Sequence, residues 1–280
     1  MIYDAEGYLS YELTETFPPV VTAEIEGVFS HGIYLETPSH GLLMIHGSEY
    51  GSIPFGIALD DCEAVIRRSG ISEYHRVTIS GDSLSILRDG SGLRLSLVPR
   101  RKKETAAGKP LDGTAFVRIA GEKLRGTDRG VLKSLAGPDF AETKYSAAAK
   151  SIIGSRKIED ALFDITGLGP GLTPSGDDFV AGWLYMGIHR LDRAGELRPV
   201  TERLQRSMHE RTCRISCAYL DAVIRGGSFT LFDDVCFAES ADELDSAADR
   251  LLAVGSNSGA DLLSGMVCAA CPDIGKEREL

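Results

Sequence analysis

Basic residues are scarce in this sequence relative to acidic ones. The 280-residue chain has 30 Lys and Arg residues against 41 Asp and Glu residues, a formal net charge of −11 at pH 7. Because contact with a phosphate backbone needs a basic face, this balance excludes a general nucleic-acid-binding protein. We interpret the one dense basic run, Arg100 to Lys103, as a solvated loop.

Long apolar runs are also missing. The longest apolar window, Phe179 to Ile188, is much shorter than the ~20 residues that span a bilayer. The first ten residues contain Asp4 and Glu6 and have neither the basic nor the apolar region of a secretory signal. The sequence therefore predicts a cytoplasmic protein with no membrane partner.

Patterns typical of metal sites and nucleophilic triads are sparse. Two close cysteine pairs, Cys213 with Cys217 and Cys268 with Cys271, lie on apolar helical stretches. Zinc sites need a second pair or histidines at matching spacing, so we expect these cysteines to be core thiols. The histidines show no H-x-x-x-H or H-E-x-x-H pattern, and no G-x-S-x-G motif is present. The sequence indicates no certain cofactor.

The rest of the composition is typical of a globular chain, with 43% hydrophobic and 25% charged residues. The first half alternates as strands do, with turn residues at short intervals, and this favours an antiparallel sheet or small barrel. From about Thr127 the apolar spacing becomes helical. We therefore predict an α+β fold: a β-rich domain over residues 1–120 and a helical domain over residues 121–280.

The predicted elements are short and numerous. The predicted strands are Val20 to Phe29, Gly32 to Glu36, Leu42 to His46, Arg76 to Ser80, Leu84 to Leu87 and Leu93 to Val98. The predicted helices are Val131 to Leu135, Ala141 to Ile153, Asp178 to Leu191, Val200 to Met208, Ile215 to Ile224, Ala241 to Leu252 and Asp261 to Ala270.

The most informative stretch runs from Gly167 to Asp178, GLGPGLTPSGDD, directly before an apolar helix. Its glycines allow positive φ and a close approach of a ligand, and its prolines fix φ. Free N–H groups at the following helix start favour a phosphate or a carboxylate. The spacing matches neither the dinucleotide-binding G-x-G-x-x-G nor the P-loop, whose lysine is absent, so nucleotide binding is unsupported.

A second segment repeats part of the first. Residues 175–182, SGDDFVAG, match residues 258–265, SGADLLSG. One explanation is structural: two capping boxes with Ser175 and Ser258 as N-caps, Asp178 and Asp261 three residues later, and Gly182 and Gly265 for close helix packing. The other is functional: the two helix starts converge and hold one anion from two sides, with the carboxylates in acid–base work or on a divalent cation.

A third element, Thr212 to Ser216, also begins an apolar helix and contains Arg214. An arginine fork suits a carboxylate or a phosphate. The alternative, a threonine N-cap followed by a surface arginine, is left open.

At these motifs the sequence resembles a bacterial family once labelled as carboxylases, which includes the AllH subunit of oxamate carbamoyltransferase. The resemblance rests on Gly169 to Asp178, on Thr212 with Ile215 and Ser216, and on Gly255 to Asp261. It covers residues 150–270 and the strand-rich half only loosely. It implies a role in purine or allantoin catabolism, where oxalurate and phosphate exchange with oxamate and carbamoyl phosphate, in a complex with other subunits.

The motifs and the resemblance together predict one site for a small anionic substrate. The predicted catalytic residues are Asp177, Asp178 and Asp261, and Asp177 and Asp178 are candidate Mg²⁺ ligands. The predicted substrate-binding residues are Gly169, Gly171, Thr173, Ser175, Gly176, Thr212, Arg214, Ser216, Asn257, Ser258 and Gly259. Two alternatives are a stand-alone carboxylase or amide hydrolase and a non-catalytic assembly subunit.

Overall fold

The computed structural model describes residues 1–16, 20–38, 41–99, 108–137, 139–154 and 157–271. Internal contacts divide the chain into two compact units, Met1–Thr105 with Gly227–Thr230, and Ala106–Gly226 with Leu231–Leu280. The division into domains at residue 120 stays a prediction. The basic run at residues 100–103 lies outside the described residues.

The first unit is built around a closed β-barrel. Its strands are β1 (Ile2–Leu9), β2 (Val20–Phe29), β3 (Gly32–Thr37), β4 (Gly41–Gly47), β5 (Gly56–Leu59), β6 (Arg76–Ser80), β7 (Ser83–Arg88) and β8 (Ser91–Pro99). Their order around the barrel is β1-β5-β4-β3-β2-β6-β7-β8. Two helices belong to the same stretch of chain, α1 (Tyr11–Thr16) and α2 (Cys62–Ser69).

Alternation of apolar and polar residues explains the barrel. In β8, Leu93, Leu95 and Leu97 are buried while Arg94 and Ser96 between them are exposed, as expected of a strand with one face toward a core. The predicted small barrel is confirmed. Most neighbouring strands pair antiparallel, whereas β1 runs parallel to β8 and β4 runs parallel to β5.

Two barrel strands were not predicted from the sequence. β1 carries the mixed pattern IYDAEGYL, with few fully buried positions. β5 has only four residues, all buried, so it shows no alternation. A strand of either kind lacks the periodic signal on which sequence-based prediction depends.

The second unit is helical. Its helices are α3 (Gly113–Gly126), α4 (Lys144–Gly154), α5 (Ile158–Ile165), α6 (Ser175–Tyr185), α7 (Ala194–Ser207), α8 (Arg214–Ile224), α9 (Thr230–Cys236), α10 (Ala241–Leu252) and α11 (Ser258–Ala270). A short 3-10 turn, Lys133–Leu135, stands where a helix over residues 131–135 was predicted, and a π-helical turn, Met186–Arg190, follows α6. The α+β class is thereby confirmed.

The helical part begins earlier than the predicted change of period near Thr127. α3 starts at Gly113, where the side chain of Asp112 caps the helix by accepting a 3.0 Å hydrogen bond from the Ala115 amide. Phe116, Ile119 and Leu124 form its buried stripe. Helices α5 and α9 were also missed, since each is too short to show a long helical period.

Helices α6 and α11 form the centre of the helical unit. Phe179 in α6 and Leu263 in α11 have no exposed surface. A Cβ atom at Gly182 would overlap the carbonyl oxygen of Leu262, and a Cβ atom at Gly265 would overlap that of Phe179. The two backbones therefore touch at these glycines, which confirms the close packing expected of them. Among the described residues, no helix combines the length and the apolar character needed to cross a bilayer.

Candidate functional site

The glycine-rich loop before α6 is a tight structure supported by its own backbone. Gly167, Gly169 and Gly171 have φ angles of +83°, +123° and +104°, where a side chain is strained. A Cβ atom at Gly167 would overlap the carbonyl of Arg211, and one at Gly169 would approach the Ser175 amide nitrogen at 2.9 Å. The backbone conformation of the loop therefore favours glycine at these three positions.

The first amides of α6 donate hydrogen bonds to carbonyls of the loop that precedes the helix. The Gly176 amide donates to the Leu168 carbonyl at 2.7 Å, and the amides of Asp177 and Asp178 donate to the Pro174 carbonyl at 2.8 and 3.2 Å. These three N–H groups are not free, contrary to the expectation of an anion site made of helix-start amides. These three amides are therefore engaged within the loop and the helix.

The capping interpretation of the two repeated motifs is wrong. Ser175 and Ser258 are the first residues of α6 and α11, after Pro174 and Asn257, and neither helix has a side-chain cap hydrogen bond. Thr212 is not an N-cap either, since α8 begins at Arg214 after Cys213. The hydroxyl and carboxyl groups of the motifs are used instead in contacts between helices.

The two repeated motifs face each other as a reciprocal pair. The hydroxyl of Ser258 lies against the carboxyl of Asp178 and lowers its pKa, and the hydroxyl of Ser175 does the same for Asp261. The glycines show the same reciprocal pattern. Gly182 lies against the backbone of Leu262, and Gly265, its equivalent in the repeat, lies against the backbone of Phe179. The two helix starts therefore converge, with a local pseudo-twofold relation between the copies.

Asp177 is a buried anchor for the loop and for α8. Its side chain is 3% exposed. Oδ1 accepts the Gly167 amide at 2.7 Å, and Oδ2 accepts the hydroxyl of Thr212. Burial raises the pKa of this carboxyl, while the hydroxyls of Thr212 and Ser216 and the Gly167 amide lower it. Asp177 therefore joins the glycine-rich loop, α6 and the start of α8.

Asp261 is sealed completely, at 0% exposure. Its Oδ1 accepts the Leu132 amide at 2.8 Å, and the Ser175 hydroxyl and the Val131 amide also face this carboxyl. Burial raises the pKa of Asp261 to about 6, against the lowering effect of the Leu132 amide and the Ser175 hydroxyl. This carboxyl holds the segment that precedes α4 against the start of α11.

Asp178 is the exception in its helix. Every other residue of α6 is buried, whereas Asp178 is partly exposed. Thr173 and Ser258 beside it are also partly exposed, and their hydroxyl oxygens are 3.1 Å apart. We call this arrangement of Thr173, Asp178 and Ser258 the site opening. It combines side chains from both repeated motifs and the loop.

Burial raises the pKa of Asp178 well above its usual range. The hydroxyls of Ser258 and Thr173 act in the opposite direction, and the charges of Asp261 and Asp177 add to the rise. A raised carboxyl pKa at a partly exposed position is a feature found at many functional sites.

The other predicted residues are placed less directly. Gly176 and Gly259 each let a helix start lie against a preceding helix, since their Cβ atoms would overlap the carbonyls of Ile165 and Leu251. Asn257 accepts the Gly130 amide at 3.0 Å. Arg214 is exposed at the first turn of α8. Ser216 is 1% exposed, and its hydroxyl lies beside the carboxyl of Asp177.

One contributor to the site was not foreseen. The segment from Gly130 to Leu132 covers the start of α11. Its Gly130 amide donates a hydrogen bond to Asn257, and its Leu132 amide donates one to Asp261. These are backbone groups of an irregular segment, so no side-chain motif could reveal them. The positive φ of Gly130, +94°, is the only local feature that the sequence could have signalled.

The cysteines and the acidic residues show no metal site. Within the described ranges, no group of three or more His, Cys, Asp or Glu side chains is arranged to hold a metal ion. Both oxygens of Asp177 are already used as acceptors. Cys217 and Cys268 are buried as expected, but Cys213 is exposed and its Sγ donates to the Leu172 carbonyl at 2.7 Å.

The pKa of Asp261 predicts a specific pH dependence of stability. A carboxyl pKa raised from 3.8 to about 6 means that the folded state binds this proton more tightly than the unfolded state. The free energy of unfolding then rises as the pH falls through 6, by up to about 3 kcal/mol for this group, given 1.36 kcal/mol per pKa unit. Asp261→Asn keeps an acceptor for Leu132 and lacks this titration.

The free energy of unfolding of Asp261→Asn, relative to that of the wild type, should therefore be higher at pH 7.5 than at pH 4.5. Urea unfolding of both proteins at the two pH values measures the difference. An equal difference at both pH values would show that Asp261 does not titrate in the folded protein at a raised pKa.

Comparison with known proteins gives one family match, over part of the chain. Residues 165–270 match the family model described as oxamate carbamoyltransferase subunit AllH. The match spans the glycine-rich loop, α6, α8 and α11, and it confirms the resemblance that the motifs predict. No curated protein and no solved structure matches the chain significantly.

Proposed function

We propose, from the match of residues 165–270 to the oxamate carbamoyltransferase subunit family, that this chain is a subunit of a carbamoyltransferase-type enzyme. Its substrates are of the oxamate, oxalurate and carbamoyl phosphate type, and its role is in purine or allantoin catabolism. Other enzyme subunits are its partners, since the matching family is described as a subunit.

The convergence of the two repeated motifs carries this proposal. Two helix starts that are 83 residues apart in sequence, at Ser175 and Ser258, bring their hydroxyl and carboxyl groups to one place. Burying several carboxyls together is unfavourable for stability unless they are compensated. An arrangement of this kind is typical of a site whose groups serve binding or catalysis.

The roles differ among the predicted residues. Thr173, Asp178 and Ser258 face the ligand at the site opening. Asp177 and Asp261 are positioning residues, which fix the loop and the segment over α11 through the Gly167 and Leu132 amides. We assign no step to a metal ion.

One observation supports the alternative that the chain is a non-catalytic assembly subunit, and another counts against it. Two of the three predicted catalytic carboxyls are buried at 3% and 0% exposure and have structural partners. A non-catalytic assembly subunit, with motifs that serve helix packing, would have the same two anchors. It would have no use for the partly exposed Asp178 in a helix that is otherwise buried.

Ligand-dependent thermal stability tests the proposal. We expect oxamate, oxalurate or carbamoyl phosphate to raise the melting temperature of the purified chain. A ligand at 100 times its Kd contributes about 2.7 kcal/mol, which is a rise of several degrees for a chain of this size.

The same ligands tested with Gly169→Ala locate the site. Alanine is strained at a φ of +123° and would crowd Ser175, so the loop must move and the ligand effect must disappear. The matched control is Gly195→Ala in α7, where nothing lies within 4 Å of the added Cβ atom. An unchanged melting temperature with every ligand would contradict the proposed function.

A further inference from the structure

Basic residues are concentrated in one segment of the helical unit. The segment from Arg198 to Arg214 contains five arginines and two glutamates, in a chain whose formal net charge is −11. All five arginines are exposed. Positive charge is therefore concentrated in one part of a chain that is acidic as a whole, and such a region attracts anions.

Two of these arginines are held by the same aromatic ring. The guanidinium carbons of Arg203 and Arg211 lie 3.8 and 4.3 Å from the ring centroid of Phe163, a buried residue of α5. Stacking of this kind restricts the arginine side chain and leaves the N–H groups at the edge of the guanidinium plane accessible to a ligand. The two cations are therefore held close together before any ligand binds. We call Arg203 and Arg211 the arginine pair.

The hydrogen-bond donors of the arginine pair are largely unused by the described part of the chain. Oδ1 of Asp164 is 4.0 Å from Arg203 and 3.7 Å from Arg211, and these ion-pair distances are too long for hydrogen bonds. Arg211 donates one hydrogen bond, to the Asp164 carbonyl at 3.3 Å. One carboxylate thus faces two cations, and most of their N–H groups have no acceptor among the described residues.

A neighbouring pair of arginines provides a comparison. Arg198 and Arg206 share the carboxylate of Glu202 in the same way, at 3.8 and 3.7 Å. Neither stacks on an aromatic ring within the described ranges, and their side chains are 78% and 69% exposed, against 49% and 31% for the arginine pair. The arginine pair is therefore the more restricted of the two, and a restricted donor loses less conformational entropy when a ligand binds.

The arginine pair adjoins the base of the glycine-rich loop. Asp164 lies three residues before Gly167 in the sequence. The carbonyl of Arg211 lies directly against Gly167, where a Cβ atom would overlap it. A ligand on the arginine pair therefore contacts a residue that packs against the loop.

We propose that Arg203 and Arg211 form a binding site for a tetrahedral oxyanion of the phosphate class, either free phosphate or the phosphoryl group of a larger molecule. A guanidinium group donates two parallel hydrogen bonds to such a group. Two guanidinium groups match the charge and the acceptors of a phosphate dianion better than those of a single carboxylate. None of the residues of the site opening takes part, so the inference does not depend on the proposed function.

Binding of inorganic phosphate tests the proposal, by titration calorimetry in a phosphate-free buffer at constant ionic strength. Arg203→Gln and Arg211→Gln should each raise the Kd for phosphate by about 10-fold or more, the usual effect of losing a hydrogen bond to a charged group. Arg198→Gln and Arg206→Gln, the same change in the neighbouring pair, are the matched controls and should bind phosphate as the wild type does.

Asp164→Asn should change the affinity in the opposite direction. The carboxylate of Asp164 competes with the ligand for both arginines. Removal of its charge should therefore lower the Kd for phosphate by about 2- to 5-fold, the range of an exposed ion pair. Acetate, a planar monoanion, should bind the wild type more weakly than phosphate does.

Carbamoyl phosphate in the same titrations distinguishes the two sources of the oxyanion. A Kd below that of phosphate, with the same dependence on Arg203 and Arg211, assigns the site to the phosphoryl group of a larger molecule. A Kd above that of phosphate assigns it to free phosphate.

The outcomes also separate this inference from the proposed function. Absence of phosphate binding to the wild type at millimolar phosphate, or a wild-type Kd in both Arg203→Gln and Arg211→Gln, overturns the inference. Either result leaves the proposed function standing, because oxamate and Gly169→Ala test that function at other residues.

Discussion

Gly182→Ala and Gly265→Ala should each lower the free energy of unfolding by more than about 3 kcal/mol, at or above the upper end of the usual range for overpacking. The added Cβ atom would overlap the backbone carbonyl of Leu262 in the first variant and of Phe179 in the second. A carbonyl in the middle of a helix cannot move away as a flexible side chain can. Helices α6 and α11 must therefore separate, and both are almost completely buried.

The control for these variants is a glycine with open space. Gly195→Ala in α7 meets nothing within 4 Å, and alanine at such a helical position should stabilise by about 0.5–1 kcal/mol. Urea unfolding of the three variants and the wild type measures the differences. If Gly182→Ala and Gly265→Ala unfold at the same urea concentration as the wild type, the two helices do not pack as described.

Much of the fold could be predicted because its elements follow strong periodic patterns. Alternation in β6, β7 and β8 and helical spacing in α10 each correspond to one buried face. The elements that were missed have no such pattern. β1 is half polar, β5 is buried on both faces, and α9 has seven residues. Barrel closure by parallel pairing of β1 with β8 is a long-range contact that local sequence does not encode.

The candidate site could be predicted as a set of motifs but not as an arrangement. The repeat of Ser, Gly, Asp and Gly in residues 175–182 and 258–265 indicated that the two helix starts are related. From the sequence the serines could be helix caps or members of a converging site, whereas the structure turns each toward the aspartate of the other copy. A capping residue and a cross-helix donor have the same local signature, so only the tertiary structure distinguishes them.

Burial separates the three aspartates in a way that sequence cannot. Asp177 and Asp178 are adjacent, and a helix turns about 100° per residue. One of them therefore points into the protein and the other toward the opening, but the direction depends on which elements pack around α6. Thr212 and Gly167 meet Asp177, so Asp178 remains the open residue. The covering of Asp261 by the Leu132 amide is equally a consequence of packing.

The central claim is that the two repeated motifs form one ligand site, and oxamate binding to blocked variants tests it most directly. Thr173→Leu and Ser258→Leu each place an apolar side chain at the site opening from a different motif. Each should weaken oxamate binding by more than about 100-fold, since small displacements in a site have effects of this size. Leu172→Ser and Ser256→Leu, at the exposed neighbours of these positions, are the matched controls and should bind oxamate as the wild type does.

Titration calorimetry on the four variants is the measurement. The account predicts loss of binding in both blocked variants, with melting temperatures that show both to be folded, and wild-type binding in both controls. Wild-type affinity in either Thr173→Leu or Ser258→Leu would contradict the claim that the loop before α6 and the start of α11 hold the same ligand.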